Sequence, residues 1–292
     1  MTSDELRARV ADLSVWKRGS QRASHKPLLL LWALGRLVCD QARLTPYTTV
    51  DEGVRPLLEE FGPPRRSYHS EYPFWYLQND GLWEVTGVSA ARVREGKTSQ
   101  PTKTELVRVG AEGGLTLPAW RLLKEDSGLV REVAETLLEV HFAETMHDDL
   151  LHAVGLERVE IVTRRRRDPR FRDAVLIAYG YRCAFCGFDA RLQHAPVGIE
   201  AAHIRWHQAR GPDVVPNGLS LCALHHKLFD RGALTLAASG HIAVSPLVNG
   251  GSATDRWVVD LDGGEAEVPR SSAHHPDPAF LAWHRREVFR AG

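Results

Sequence analysis

The chain is 292 residues long, room for two domains at about 150 residues each. Hydrophobic residues make up 43% and charged residues 25%, an ordinary soluble globular composition that excludes a disordered chain, a collagen-like repeat and a membrane-embedded protein. Lys+Arg and Asp+Glu both total 37, so net charge decides nothing until its distribution is read.

The start, MTSDELRARVADLSVW, reads as an amphipathic helix without the apolar core of a signal peptide. A basic polar turn, Lys17 to Lys26, leads to a second helix with Pro27 in its first turn, where a missing N–H costs nothing. LLLLWALGRLVCD is apolar nearly all round, so this helix is expected to be buried, with Cys39 as a small core residue. Its apolar run, Leu28 to Leu34, falls far short of the roughly twenty residues that span a bilayer. VDEGVRPLLEEFGP reads as a short helix ended by Gly62-Pro63-Pro64. RRSYHSEYPFWYLQNDGLWEV follows, with Asn79-Asp80-Gly81 as a turn between strand-like runs. REGKTSQPTKTE is an exposed polar loop, and WRLLKEDSGLVREVAETLLEVHF returns to a helical period that closes a first domain. Arg164-Arg165-Arg166-Arg167-Asp168-Pro169 is the linker candidate, and FRDAVLIAYGYRC a helix entering the second domain. Residues 161–210 hold ten Arg, no Lys and four acids, so the neutral total conceals a basic middle.

The expectation is a cytoplasmic, reduced protein with no membrane segment, in which clustered cysteines signal a metal before a disulfide. Cys183-Ala-Phe-Cys186 and Cys222-Ala-Leu-His225 are two such ligand pairs, separated by 35 residues. A tight turn lets both members of a pair face one ion, and two pairs close a tetrahedral structural Zn²⁺ shell.

Around those ligands stand Glu200-Ala-Ala-His203-Ile, then Pro216-Asn217-Gly218-Leu-Ser-Leu-Cys222, then His225-His226-Lys-Leu-Phe-Asp230. His203, Asn217 and His226 are 14 and 9 residues apart, interlocked with the zinc pairs. This pattern, over about residues 170–235, resembles an HNH endonuclease, the ββα-metal fold in which two strands and a helix clamp one divalent ion. The resemblance implies His203 as general base, Asn217 as a brace for the loop, and His226 as a ligand of a catalytic divalent ion such as Mg²⁺ or Mn²⁺. Asp230, one helical turn on, shares the face of His226 and is a candidate second ligand. Ala202 departs from the pattern, since many HNH enzymes place a ligand just before the base. Glu200 is the nearest acid, and in a strand it lies on the face opposite His203.

The front of the chain resembles the sulfur-binding domain of McrA-like type IV restriction endonucleases, which bind phosphorothioated DNA. The segments that carry the likeness are SHKPLLLLWALGRL and RRSYHSEYPFWYLQNDGLWEV. It implies a sulfur cup of Tyr72 and Pro73 with Tyr76 on its wall, and His25 and Lys26 near the phosphate. Sulfur in place of one non-bridging oxygen keeps the charge but leaves a larger, poorly hydrated edge, which suits rings beside cations. The loop Arg94 to Lys103 is a candidate for flanking contacts, and Arg164 to Arg167 for the DNA backbone.

The expected protein is therefore α+β: a sulfur-binding domain at 1–160, a basic linker at 161–169 and a zinc-stapled HNH domain at 170–292. It would be a modification-dependent endonuclease that binds phosphorothioated double-stranded DNA and cuts nearby, as a homodimer at least on DNA. Three alternatives stand beside it: an HNH nuclease aimed at another modified base such as methylcytosine, an unspecific HNH nuclease with a regulatory front domain, and a zinc DNA reader whose catalytic shell has decayed.

Overall fold

The computed structural model describes residues 1–14, 24–89, 100–157, 159 and 169–292. Among these, the residues up to 159 form one compact unit and those from 169 onward another. The α+β architecture expected from the sequence is observed, although several elements differ in kind.

The first unit runs α1 (Ser3–Ala11), α2 (His25–Val38), β1 (Thr45–Pro46), α3 (Tyr47–Phe61), α4 (Glu71–Tyr76), β2 (Trp83–Thr86), α5 (Lys103–Arg108), β3 (Glu112–Leu115), α6 (Leu117–Glu125), α7 (Ser127–His141) and α8 (His147–Ala153). A capping box starts α1: Glu5 N–H donates to Thr2 Oγ1 while Thr2 N–H donates to Glu5 Oε2. The apolar helix α2 is the centre of the unit, burying Leu28 to Leu31, Ala33, Leu34 and Leu37 against α3, α4, α6 and α7. The three strands form a small antiparallel sheet in the order β1-β3-β2.

Four local expectations are corrected. The aromatic run before Asn79 is helical, α4 followed by a 3₁₀ turn to Asp80, and only Trp83–Thr86 is a strand. β-favouring aromatics lose here to tertiary packing: Phe74 and Leu77, one turn apart, are fully buried, and Phe74 meets Tyr47 edge-on at 4.9 Å. Pro73 falls in the first turn of α4, where it needs no N–H donor. The stretch of helical period from Trp120 to Phe142 is divided between two helices, because Asp126 caps a new start by accepting from Leu129 N–H at 3.0 Å. Cys39 ends α2 and is exposed, so it is not a core residue. Within the polar stretch expected to be a loop, Lys103 opens α5 and pairs with Asp51.

The second unit runs α9 (Pro169–Ala178), β4 (Arg191–Leu192), β5 (Ala195–Pro196), β6 (Ile199–His203), β7 (Gly218–Cys222), α10 (Ala223–Asp230), β8 (Leu234–Leu236), β9 (Ile242–Val244), α11 (Ser252–Trp257) and α12 (Pro278–Glu287). β6 and β7 pair antiparallel, with Ile199 opposite Cys222 and His203 opposite Gly218. Cys222 is also the N-cap of α10, so strand, strand and helix follow without a break. α9 packs on β6 through Phe171 and Val175, which it can do closely because Gly218 has no side chain. A Cβ there would stand 2.4 Å from Val175 Cγ2. The closing helix α12 buries His284, whose ring stacks on Phe229 at 3.7 Å. No helix among the described residues is long and apolar enough to cross a membrane.

Candidate active site and nucleic-acid interface

The ligand atoms of Cys183, Cys186, Cys222 and His225 all lie within 4.8 Å of one another, a cluster that can hold a metal ion. The tight turn after α9 presents the first two, and the β7–α10 junction presents the others. His225 Nε2–H donates to the Trp257 carbonyl at 2.9 Å, so Nδ1 faces the sulfurs, 3.2 Å from Cys222 and 3.5 Å from Cys183. Such an outer bond fixes the tautomer a metal needs. Hydrogen bonds from Cys186 and Cys222 hold the Cys183 thiol far below its ordinary range, which favours a thiolate. Three sulfurs and one imidazole with no open position fit tetrahedral structural zinc.

His203 and Asn217 stand at the end of the β6–β7 ladder away from those ligands, and His226 follows His225 in α10. His203 ends β6, its ring stacked on Phe171 at 4.0 Å and tilted only 13°. Its Nε2 bonds Asp213 Oδ1 at 2.7 Å. Burial lowers the His203 pKa, against the pull of Asp213, so the imidazole is neutral at neutral pH. Asn217 is fully buried and spends its amide on the preceding loop. Its Oδ1 accepts from Arg205 N–H at 2.8 Å, and its Nδ2 donates to the Arg205 and Pro212 carbonyls at 3.0 and 2.9 Å.

His226 is 5% exposed and lies between two carboxylates, with Nδ1 2.6 Å from Glu200 Oε2 and Nε2 3.3 Å from Asp230 Oδ2. Glu200 does lie across the strand from His203, and its partner there is His226. Asp213 and Glu200 are the residues sequence reasoning left without a role. The alternation of β6 was a usable signal for Glu200, whereas nothing local marked Asp213. His207 is exposed, its ring 6.4 Å from that of His203.

In the first unit, Tyr72 is 41% exposed with its ring stacked on His69 at 4.8 Å, while Pro73 is buried and Tyr76 half-buried. Burial, then the charges of Arg65 and His69, push His25 down to about 4, so its ring is neutral at neutral pH. Lys26 Nζ is held by Asp80 Oδ2 at 2.6 Å and the Ser14 carbonyl at 2.7 Å, so its charge is neutralised within the fold. Arg65 and Arg66, seven and six residues before Tyr72, are exposed cations that the sequence does not single out, and the charge of Arg65 reaches His25. The start of α4 is tied down through Ser70, whose hydroxyl donates to Asp51 at 2.6 Å, and Asp51 also takes Arg55 and Lys103. Arg164 to Arg167, and the Arg94 to Ser99 part of the polar loop, lie outside the described residues.

A family model described as "ScoMcrA-like, DNA sulfur-binding domain" matches residues 3–159, and one described as "HNH endonuclease" matches residues 183–237. Among solved structures, the sulfur binding domain of ScoMcrA complexed with phosphorothioated DNA is 29% identical, covering 52% of this chain and 96% of that one, with a TM-score of 0.46. The type IV phosphorothioation-dependent restriction endonuclease ScoMcrA is 28% identical, covering 52% of this chain and 32% of that one, with a TM-score of 0.46. The present chain thus spans less than a third of that enzyme. The modification-dependent TagI restriction endonuclease is 26% identical, covering 47% of this chain and 42% of that one, with a TM-score of 0.31. A search of the curated proteins returns no match. With its first model spanning more than half of its length, the chain belongs to the ScoMcrA-like DNA sulfur-binding domain family, and it carries behind that domain an HNH endonuclease domain, a nuclease acting on DNA.

Proposed function

We propose that the chain is a modification-dependent restriction endonuclease that captures phosphorothioated duplex DNA with residues 1–160 and hydrolyses a nearby phosphodiester with residues 170–292. Residues 161–169 would be a basic linker along the DNA backbone. The observation that carries this reading is the pairing, in one chain, of a sulfur-binding family match with a neutral, half-buried His203 at the end of β6 and a His226–Asp230 pair in the helix that follows β7.

Tyr72 offers an exposed ring, and Arg65 and Arg66 exposed cations in the same segment, the chemistry that a soft, poorly hydrated phosphorothioate edge requires. Pro73, Tyr76 and His25 would complete the cup. Lys26 would act on the phosphate only by giving up Asp80. In the second unit the Cys183, Cys186, Cys222 and His225 cluster would hold zinc. His226 Nε2 and Asp230 would hold Mg²⁺ or Mn²⁺, with Glu200 keeping the Nδ1 proton, a carboxylate–histidine arrangement that answers the missing ligand at Ala202. A divalent ion bound there would supply positive charge for the phosphate and the departing 3′ oxygen. His203 takes a proton from the attacking water. The new O–P bond forms as P–O3′ breaks, leaving 5′-phosphate and 3′-hydroxyl ends. One site per chain cuts one strand, so a double-strand break calls for two copies on the DNA.

His226 provides a test of the ion site. Burial works against its charged form, but Asp230 and then Glu200 outweigh that and raise its pKa to about 9. The ring is therefore protonated at neutral pH, and an ion on Nε2 must displace that proton. Affinity for Mn²⁺ should rise as pH climbs from neutrality toward 9, by up to about tenfold per unit, then level off. Calorimetry in buffers of different ionisation enthalpy would read the released proton. An affinity flat in pH would remove His226 from the ligand set. The capture function is tested by binding a duplex with one phosphorothioate linkage against its all-oxygen twin.

A further inference from the structure

We propose that Asp213 is the positioning residue of the nuclease base: its carboxylate takes the Nε2 proton of His203, which leaves the Nδ1 lone pair for the attacking water. The inference rests on the reading of His203 as the base. It supplies what that reading lacks, a reason for the proton to sit on one nitrogen and not the other.

The ring is held from two sides. Phe171 covers its face, and Asp213 Oδ1 takes Nε2 at 2.7 Å. No described residue bonds Nδ1. The pair is reachable without being open, with side chains 21% and 35% exposed. An ion pair on a free surface loop would carry little weight. This loop is built to hold its position. The single buried amide of Asn217 clamps both ends of the stretch from Arg205 to Pro212, and Asp213 follows directly. Gly211 lies in the same clamp, where a Cβ would stand 1.8 Å from the Arg205 carbonyl oxygen and 2.8 Å from Asn217 Nδ2. Asn217 thus acts on the base through Asp213, since its side-chain hydrogen bonds all go to the backbone of Arg205 and Pro212.

The proton balance is simple. Water gives one proton to Nδ1 as its oxygen bonds to phosphorus, and the departing 3′ oxygen takes a proton from solvent. The imidazolium, stabilised by an Asp213 that stays ionised, then returns its proton to solvent. An amide at position 213 carries no charge to stabilise the imidazolium, and with its NH₂ turned to Nε2 it puts the proton on Nδ1. Asp213→Asn should therefore be worse than Asp213→Ala, although it is closer in shape. A role in loop structure alone would rank the two the other way.

His207 and Asp230 also act on the His203 charge, so the readout is the tautomer and not a titration. The experiment uses the full-length, zinc-loaded chain with ¹⁵N-labelled histidine. The His203 resonance is assigned by its loss in His203→Gln. The wild type should show the Nε2–H tautomer, Asp213→Ala a mixture, and Asp213→Asn the Nδ1–H form. Cutting of a phosphorothioate-bearing duplex in Mn²⁺ should fall by about 10²–10⁴-fold at saturating DNA in Asp213→Asn, and by less in Asp213→Ala, with DNA affinity unchanged. A wild-type His203 carrying its proton on Nδ1, or Asp213→Asn cutting at the wild-type rate while His203→Gln is inactive, overturns the proposal alone. If His203→Gln also cuts normally, the assignment of the base fails and the proposal with it. Should Asp213→Asn lose its zinc or melt early, the Asp213→Ala tautomer decides.

Discussion

His203→Ala is expected to slow cleavage by at least about 10³-fold while DNA capture, zinc content and melting temperature stay close to wild type. The effect is large because His203 is neutral and partly exposed at the end of β6, and no other group is assigned the water's proton. Fold costs should be small, because the residue ends β6 and is not fully buried. The backbone pairing of His203 with Gly218 does not depend on the side chain. What is lost is the proton acceptor and the Phe171 stack. Single-turnover cutting and equilibrium binding, measured on the same preparation, separate chemistry from capture. Unchanged cutting would mean that another group activates the water, and exposed His207 would be the next residue to replace.

Cys222→Ser should have the largest effect on stability. Cys222 is at once the end of β7, the N-cap of α10 and one of four converging ligands. Structural zinc contributes about 10–16 kcal/mol in small domains, comparable to or above the whole stability of a typical one. The second unit should therefore unfold cooperatively and lose cutting, while the first unit, with its own core around α2, keeps its fold and its DNA binding. Chelators should act in two stages: mild chelation stops cutting with the fold intact, and zinc removal melts residues 169–292. Circular dichroism with zinc quantitation reads both stages. A variant that stays folded without zinc would show that the cluster is not a structural staple.

Much of the second unit is legible in the sequence because its chemistry is local. Cys183 and Cys186, and Cys222 and His225, are ligand pairs by covalent spacing alone. The order His203, Asn217, His226 places strand, strand and helix before any packing is known. What is not legible depends on the chain folding back. Asp213 reaches His203 only because Asn217 clamps an intervening loop, and Glu200 reaches His226 only because α10 lies across β6. In the first unit the misreadings have local causes. A six-residue aromatic run carries no periodicity long enough to tell helix from strand, and the burial of Phe74 and Leu77 decided it. Asp126-Ser127 was a visible cap signal inside an apparently continuous helix. Lys26 looked like a free cation at a helix start, but it is consumed by Asp80, a residue 54 positions away.

The most direct measurement is cutting by the full chain, in Mn²⁺ or Mg²⁺, of one duplex bearing a single phosphorothioate linkage and of its all-oxygen twin, with His203→Ala as control. The account predicts tight binding and nearby cutting confined to the sulfur duplex, and binding without cutting in the variant. Equal binding and equal cutting of both duplexes would contradict it, leaving an HNH nuclease whose front domain selects for something other than sulfur.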